Sequence, residues 1–323
     1  MSLSPQAPLV SVVVLNYNGR DHLGYCLPSL AASTYPNYRL IVVDNASNDG
    51  SAEMVAALCP TAILHVSERN LGWSGGNNLG IRASLEMGAR YVVLANNDIR
   101  VDPRWLDAAV HVAEQDPSVG VVGFDVIEPV NRLDDALARF EKAQAARQTW
   151  RESEPQYVGG MAMFIRSELF DRIGFIDEHF FAYGEDNDFQ IRARKARYRI
   201  VAVDVPVWHH GQASFGRIPR RAAVLQTRNN IQLLIKHGSI PALVRACWRH
   251  VRGRLLAKAP QEPPPAVEQR LRSSSVIFNI GVLIYGAAWN LTHLMAILRR
   301  RVEDNRRAEQ SRRLPLREPS KRA

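Results

Sequence analysis

The chain has 323 residues, 46% of them apolar and 23% charged, which suits one large α/β domain with an appendage and excludes collagen-like or low-complexity classes. Its net charge of +9 is unevenly placed: residues 239–323 hold 17 Lys and Arg against 6 Asp and Glu, whereas residues 1–238 hold 24 against 26. The slightly acidic first part argues against nucleic acid as a partner, and three cysteines without paired spacing (Cys26, Cys59, Cys247) exclude a zinc site and a disulfide framework and fit ordinary thiols in a reducing compartment.

The N-terminal stretch has no basic segment and no small-residue cleavage site, so its β-branched run LVSVVVL at 9–15 reads as a first strand, not a signal peptide. It ends in the turn cluster Asn16 to Gly19, and a helix is expected over 21–32. RLIVVD at 39–44 is a second strand, closed by NASNDGS and followed by a helix at 51–58. AILHVS at 62–67 is a third strand, ERNLGWSGGNN at 68–78 a Gly/Asn loop, and 77–88 a helix. YVVLANND at 91–98 is a fourth strand that ends in amides and an acid. Such alternation predicts a mostly parallel, doubly wound sheet, with ligands outside the C-terminal strand ends. Asn16, Asp44, Gly72 to Asn78 and Asn96 to Asp98 all fall at or just after such ends.

A helix at 103–116 and a strand at 119–124 continue the pattern, and 128–156 reads as a polar, irregular excursion facing an acceptor or as a flexible loop. Residues 157–174 read as strand then helix, 185–196 as a helix opened by acids, 198–210 as a strand pair and 221–237 as a helix. Beyond it come a basic helical segment at 241–258, a Pro-rich link at 260–265 and the stretch 273–298, which has no charged residue. In that stretch Asn279, Gly286, Asn290 and His293 share one helical face opposite Ile280, Leu283, Ile284, Leu291 and Leu294. This predicts an amphipathic helix lying on a membrane or packed on the rest of the chain, with a bilayer span as the remaining alternative. The basic end reads as disordered.

Three clusters carry chemistry. Asp44 can accept hydrogen bonds from a nucleobase or ribose, or close a turn. Asp98 in LANND can bind Mg²⁺ or Mn²⁺ shared with phosphate oxygens, or cap a helix before Pro103. Glu185, Asp186 and Asp188 crowd three carboxylates into four residues at a helix start; their repulsion raises at least one pKa, which suits a general base. Asp186 is favoured as that base, Asp188 next, and spacing alone does not decide which points into a cleft. His209 and His210 alternate across a strand, so one of them can complete a metal shell. Trp73, Tyr183 and Trp208 can stack on a sugar or base, or fill the core.

The ordered set VSVVVLNYNGRDHLGYCLPSL, LIVVDNASNDGS, RNLGWSGGNNLGI, LANNDIRVDP, GGMAMFIR, GFIDEHFFAYGEDNDFQIRAR and VWHHGQASFG resembles the inverting family 2 glycosyltransferases, in particular the bacterial rhamnosyltransferase-like sub-group, over roughly 10–235. The resemblance implies a GT-A fold, a nucleotide-diphosphate sugar donor, a divalent cation (Mg²⁺ or Mn²⁺) and one catalytic carboxylate. By position, Asn16, Asp44 and Asn45 would contact the nucleoside, Gly75, Gly76, Asn77 and Asn78 would line its pocket, and Asn96 and Asn97 would join them. Asp98 and His209 would hold the metal, Asp186 would be the base, and the first acid of the usual metal motif is replaced by Asn96. The sub-group points to dTDP-rhamnose and to a glycan or polyprenyl-linked acceptor. The expected division is a GT-A catalytic domain at 8–238, a helical membrane-associating or packing region at 239–300 that meets an anionic membrane surface, and a tail at 301–323. The protein is expected in the cytoplasm, peripheral on the inner face of the cell membrane. A non-enzymatic nucleotide-sugar binder leaves the three-acid cluster without a role. A nucleotidyltransferase needs a Gly/Arg/Lys-rich loop after the first strand, where NYNGRDH offers only Gly19 and Arg20.

Overall fold

The computed structural model describes residues 7–129, 133–146, 149–211, 219–238 and 276–316; the expected basic helix at 241–258, the link at 260–265 and residues from 317 onward lie outside them. The first half alternates as expected: β1 (Val10–Asn16), α1 (Arg20–Ala31), β2 (Tyr38–Asp44), α2 (Ser51–Leu58), β3 (Ile63–Val66), α3 (Gly72–Glu86) and β4 (Tyr91–Asn96). Then follow β5 (Ile99–Val101), α4 (Trp105–Gln115), β6 (Val119–Ile127), α5 (Leu133–Ala146), β7 (Glu152–Ser153), β8 (Ala162–Arg166) and α6 (Glu168–Ile173). A 3-10 turn (Glu178–Phe180), α7 (Glu185–Lys195), β9 (Arg199–His209), α8 (Pro219–His237), α9 (Val276–Thr292) and α10 (Leu294–Arg313) complete the described chain.

The strands form one sheet in the order β3-β2-β1-β4-β8-β6-β9-β5, with β7 pairing on β9. Strands β3, β2, β1 and β4 are parallel, while β8 runs antiparallel to both β4 and β6, so the second half is mixed. The two faces follow the two-residue period of the strands. Val10, Val12, Val14, Val42 and Val93 pack with Leu23, Leu27 and Leu30 of α1, Val55 of α2 and Trp105 of α4. Val13, Ile41, Val43, Val92 and Leu94 pack with Ile81 of α3, Leu169 of α6 and Phe189 of α7. Strands buried on both faces are largely apolar, which is why β1, β2 and β4 were legible as continuous runs, whereas β3 is an exposed edge strand.

Several segments differ from the expectation. The Gly/Asn stretch is helical from Gly72, because its glycines let α3 lie directly on β1: a Cβ at Gly76 would strike Leu15, and one at Gly80 would strike Val13. The excursion at 128–156 contains α5, whose Ala136 and Phe140 are buried against Trp208. The strand pair at 198–210 is the single strand β9, with register irregularities against β6.

The tail read as disordered is helical as far as Arg313. Residues Glu303 and Arg307, and Glu309 and Arg313, pair at helical spacing on its outer side, while Ala308 and Ser311 are buried. Its Asp304 reaches Lys236 of α8 at 3.0 Å, and Arg172 of α6 donates to Ser311 O at 3.2 Å. Helix α9 is packed inside out. Gly286 meets the backbone of Arg228 on α8, and Asn290 Nδ2 donates to Arg228 O at 2.8 Å. Its apolar side faces outward: Ile284 is 65% and Leu291 72% exposed, with Ile280 and Tyr285 also open, and Met295, Leu298 and Val302 extend this surface onto α10. No single described helix is long and apolar enough to cross a membrane; the segments Ile280–Thr292 and Leu294–Arg313 pass that test only as a pair bent by 67°.

Candidate active site

Strands β1, β2 and β4 end abreast, with Asn16 beside Asp44 and Leu15 beside Asn96. Asn16 Nδ2 donates to Asp44 Oδ1 at 2.9 Å, Ser47 N donates to Asp44 Oδ2 at 3.1 Å, and Asn97 Nδ2 donates to Asn16 Oδ1 at 2.6 Å. These buried bonds fix the three strand ends to one another. Through Asn97 they join a cleft of about 480 Å³, a volume typical of small-molecule sites. Leu15, Tyr17, Asn45, Trp73, Asn96, Asn97, Asp98, Gly160 and His209 line it, as do all residues from Phe181 to Asn187, together with Arg221, Gln226 and Asn230 of α8.

One group of acids sits where β5 pairs antiparallel with β9, setting Ile99 opposite His209. His209 Nε2 lies 3.3 Å from Asp98 Oδ1, and its Nδ1 lies 2.7 Å from Glu128 Oε1. Burial works against a charged imidazole, but hydrogen bonds to Asp98 and Glu128 outweigh it and push the His209 pKa up to about 9. Asp98 is itself desolvated, yet the bond from His209 and the charge of that ring hold its carboxyl below the ordinary range. A hard carboxylate oxygen and an imidazole nitrogen side by side, with Glu128 orienting the ring from behind, fit a divalent cation. Glu128 was not anticipated, since a lone acid in a polar stretch gives no signal. Asn96 Oδ1 accepts from Trp73 Nε1 at 3.1 Å, so that indole braces the cleft wall.

The other group is the helix start. Asp186 Oδ1 accepts from Asn187 N at 2.8 Å and Oδ2 from Gly160 N at 3.2 Å. Burial raises its pKa against those stabilising bonds. Burial, and then the neighbouring Asp186 charge, raise the Glu185 pKa to about 8. Its Oε2 is buried with no hydrogen-bond partner. The loop before the helix is strained: Phe181, Tyr183 and Gly184 have φ of 63°, 72° and 90°. Each such non-glycine residue costs on the order of 1–3 kcal/mol and persists only where its surroundings enforce it.

Other expected residues lie off the cleft. Asp188 is fully buried on the opposite side of α7, 2.8 Å from Arg192, 2.7 Å from Lys236 and 2.7 Å from His237, and the charges of Arg192 and Lys236 overcome its burial and hold its pKa far down. It is therefore unavailable as a base. The oxygens and nitrogen of Asp188, His237 and Asp304 are close enough for a metal, but the Lys236 ammonium already bridges the two acids. Gly76 serves the packing of α3 on Leu15, a Cβ at Gly75 would strike Leu71 just before the helix, and Asn77 Nδ2 donates within α3 to Trp73 O at 2.9 Å. Asn78 Nδ2 donates to Ile176 O and to Glu178 Oε1, both at 2.9 Å, so it anchors the approach to the acid loop. Asp44 and Asn16 are buried and do not line the cleft, whereas Asn45 borders it and donates to Gly72 O at 3.1 Å. Of the aromatics, Trp73 and Tyr183 line the cleft and Trp208 is buried behind Tyr25.

The sequence pattern of the family described as "Glycosyl transferase family 2" matches residues 11–174. The chain is 26% identical over 242 residues to the N-acetylglucosaminyl-diphospho-decaprenol L-rhamnosyltransferase of Mycobacterium tuberculosis, covering 65% of this chain and 79% of that one. It is 24% identical over 220 residues to glycosyltransferase AglE of Haloferax volcanii, covering 66% and 70% respectively. Among solved structures, the mannosyltransferase PcManGT of Pyrobaculum calidifontis, in complex with GDP-Man and Mn²⁺, superposes with a TM-score of 0.55 at 20% identity over 92% of this chain and 86% of that chain. S. aureus TarS 1-349 in complex with UDP superposes with a TM-score of 0.51 at 17% identity over 94% and 91%.

Proposed function

The chain belongs to glycosyl transferase family 2 and has the GT-A fold, and from that premise we propose that it transfers a sugar, with inversion, from a nucleotide-diphosphate donor to a hydroxyl of a lipid-linked glycan. The observation that carries this reading is that Asp98 with His209, and Glu185 with Asp186, border the same cleft although 88 residues separate the two aspartates. A divalent cation held by Asp98 and His209 would offset charge on the departing diphosphate. The ionised Asp186 carboxylate takes the proton of the acceptor hydroxyl as that oxygen bonds to the anomeric carbon. The bond from that carbon to the diphosphate breaks on the opposite face, its electron pair leaves with the nucleoside diphosphate, and one displacement inverts the centre. Glu185 remains protonated at neutral pH, which leaves a single carboxylate charge at the reacting oxygen.

Rhamnose is the proposed sugar and a polyprenyl-diphosphate glycan the proposed acceptor, by analogy with the mycobacterial relative's name, and thymidine diphosphate is the proposed carrier from the rhamnosyltransferase-like resemblance of the sequence. A panel of thymidine, uridine and guanosine diphosphate sugars, scored by thermal shift with and without Mn²⁺, tests the donor. One sugar nucleotide should raise Tm, more so with Mn²⁺, and NMR of its transfer product should show the inverted anomer. No Tm shift and no release of nucleoside diphosphate across the panel would refute the reading.

The outward apolar side of α9 and α10 suits an anionic membrane surface at the inner face of the cell membrane. Each such side chain gains about 1.5–3 kcal/mol when fully buried, and the surplus of basic residues beyond position 238 adds attraction to acidic headgroups. The full chain should sediment with vesicles containing anionic phospholipid. A triple variant, Ile284→Glu, Leu291→Glu and Met295→Glu, should stay in the supernatant, and equal recovery of both would count against membrane docking.

A further inference from the structure

The loop that carries Asp186 into the cleft is held by another helix. The carbonyls of four consecutive or near-consecutive residues turn toward α8. Asn229 Nδ2 lies 2.9 Å from Phe180 O, 2.7 Å from Ala182 O and 2.7 Å from Tyr183 O. Arg228 Nη2 donates to Phe180 O at 2.7 Å and to His179 O at 3.2 Å. The two ends of the loop share one cation: Lys236 Nζ lies 2.8 Å from Asp177 Oδ2 and 2.7 Å from Asp188 Oδ1. Asn229 and Lys236 are each only 1% exposed, so these donors have no competing water.

The loop's shape needs such a partner. Phe181 and Tyr183 stand in the left-handed region, which leaves successive carbonyls pointing away from any regular ladder. The NH₂ of one amide and the fork of one guanidinium gather them. The helix is backed in turn by the C-terminal elements. Asn290 of α9 donates to Arg228 O at 2.8 Å, the Trp289 ring lies 4.4 Å from the Arg228 guanidinium, and Asp304 of α10 lies 3.0 Å from Lys236. Helices α8, α9 and α10 all lie beyond the residues that the family pattern matches.

We infer that Asn229, with Arg228 and Lys236, is a positioning residue for Asp186: α8 enforces the strained conformation of 177–188 that presents this carboxylate to the cleft, and α9 and α10 brace α8 from behind. This rests on the reading of Asp186 as the base. A carboxylate that must meet an acceptor hydroxyl tolerates little displacement, because misplacement by about 1 Å can cost on the order of 100-fold in rate.

Asn229→Ala removes both donors, and Asn229→Asp keeps the size while turning an acceptor toward three carbonyls. Turnover is read as nucleoside diphosphate released from dTDP-rhamnose, or from whichever sugar nucleotide of the panel is cleaved. Both variants should lose 10- to 100-fold in kcat with donor KM changed less than threefold, and amide hydrogen exchange should rise across 180–188 while β1 and β4 stay protected. If Asn229→Ala unfolds, Arg228→Lys, which keeps the charge and one donor, is read in the same way. A lowered Tm with unchanged kcat and unchanged exchange at 180–188 would reduce α8 to a merely structural support and overturn the inference. Asp186→Asn run alongside separates the two readings: if it keeps its turnover, the base assignment fails, whereas an inactive Asp186→Asn beside a fully active Asn229→Ala sinks the positioning role alone.

Discussion

Asp186→Asn should lower kcat by roughly 10²–10⁴-fold, the range general-base catalysis contributes, while leaving donor affinity in place. The substitution is nearly isosteric. The side-chain oxygen can still accept from Asn187 N or Gly160 N, and the single backbone donor that loses its acceptor costs about 1 kcal/mol. A folded, donor-binding, inactive protein is thus the expected product. The pH dependence of the unmodified chain adds a second readout. Asp186 acts only when ionised, and burial raises its pKa, so activity should rise with pH along an acid limb displaced above the ordinary aspartate value of about 3.9. Glu185 loses its proton later, at about 8, because burial and the Asp186 charge both disfavour a second anion. A second ionisation near pH 8 should therefore mark the kcat profile, and Glu185→Gln should abolish it while the acid limb remains. If Asp186→Asn retains near-normal kcat, the chemistry attributed to this helix start is wrong.

The parallel half of the sheet was legible because β1, β2 and β4, buried on both faces, are mostly Val, Ile and Leu between polar strand ends. The mixed half was harder. Nothing in AMFIR distinguishes a strand running up from one running down, and β8 enters antiparallel between β4 and β6. Helix α10 was hidden by its charge: RRRVEDNRRAEQSRR looks solvated, and only the tertiary partners of Asp304, Ala308 and Ser311 make it part of the domain. The inverted α9 was hidden by the opposite error. Its small and polar stripe, which suggests a wet side, is the side that fits against α8 through Gly286 and Asn290.

In the candidate site, position relative to element ends was informative, and orientation was not. Asp98, His209 and Asp186 were flagged by standing at a strand end or a helix start. The choice between Asp186 and Asp188 turns on helical geometry: two residues of an α-helix are about 200° apart, so the carboxylate two positions on must face the other way. Asp186 accordingly faces the cleft, and Asp188 faces Lys236. The glycines of α3 misled because a close helix–strand approach and a close backbone–ligand approach demand the same residue. Glu128 and the amide and guanidinium of α8 carry no local signature at all, since their partners are 46 to 81 residues away in the chain.

Removal of the second acid should act on binding, not on proton transfer. Asp98→Ala should weaken donor affinity by roughly 10- to 100-fold and abolish any stimulation by Mn²⁺, on the scale of losing a ligand partner at a metal site. The argument is one of competition for His209. A cation needs the neutral imidazole, whereas Asp98 and Glu128 favour the protonated ring up to about pH 9. Metal and proton therefore exclude each other, and Mn²⁺ stimulation of the unmodified chain should grow as pH rises from about 6.5, the free histidine value, toward 9. The fold responds in the opposite sense. The depressed Asp98 pKa gives stability that is lost only as pH falls below the ordinary carboxylate range, and the raised His209 pKa gives stability that is complete below about 6.5 and lost as pH rises through 9. In Asp98→Ala the imidazole loses one of its two acid partners and keeps Glu128, so its pKa should fall, and the alkaline loss of stability should be smaller and complete at a lower pH. Calorimetric titration of donor with and without Mn²⁺ at pH 6.5 and 8.5 separates these effects. Equal donor affinity in both proteins, with the same response to Mn²⁺ at both pH values, would exclude Asp98 and His209 as the ligands of a cation in this cleft.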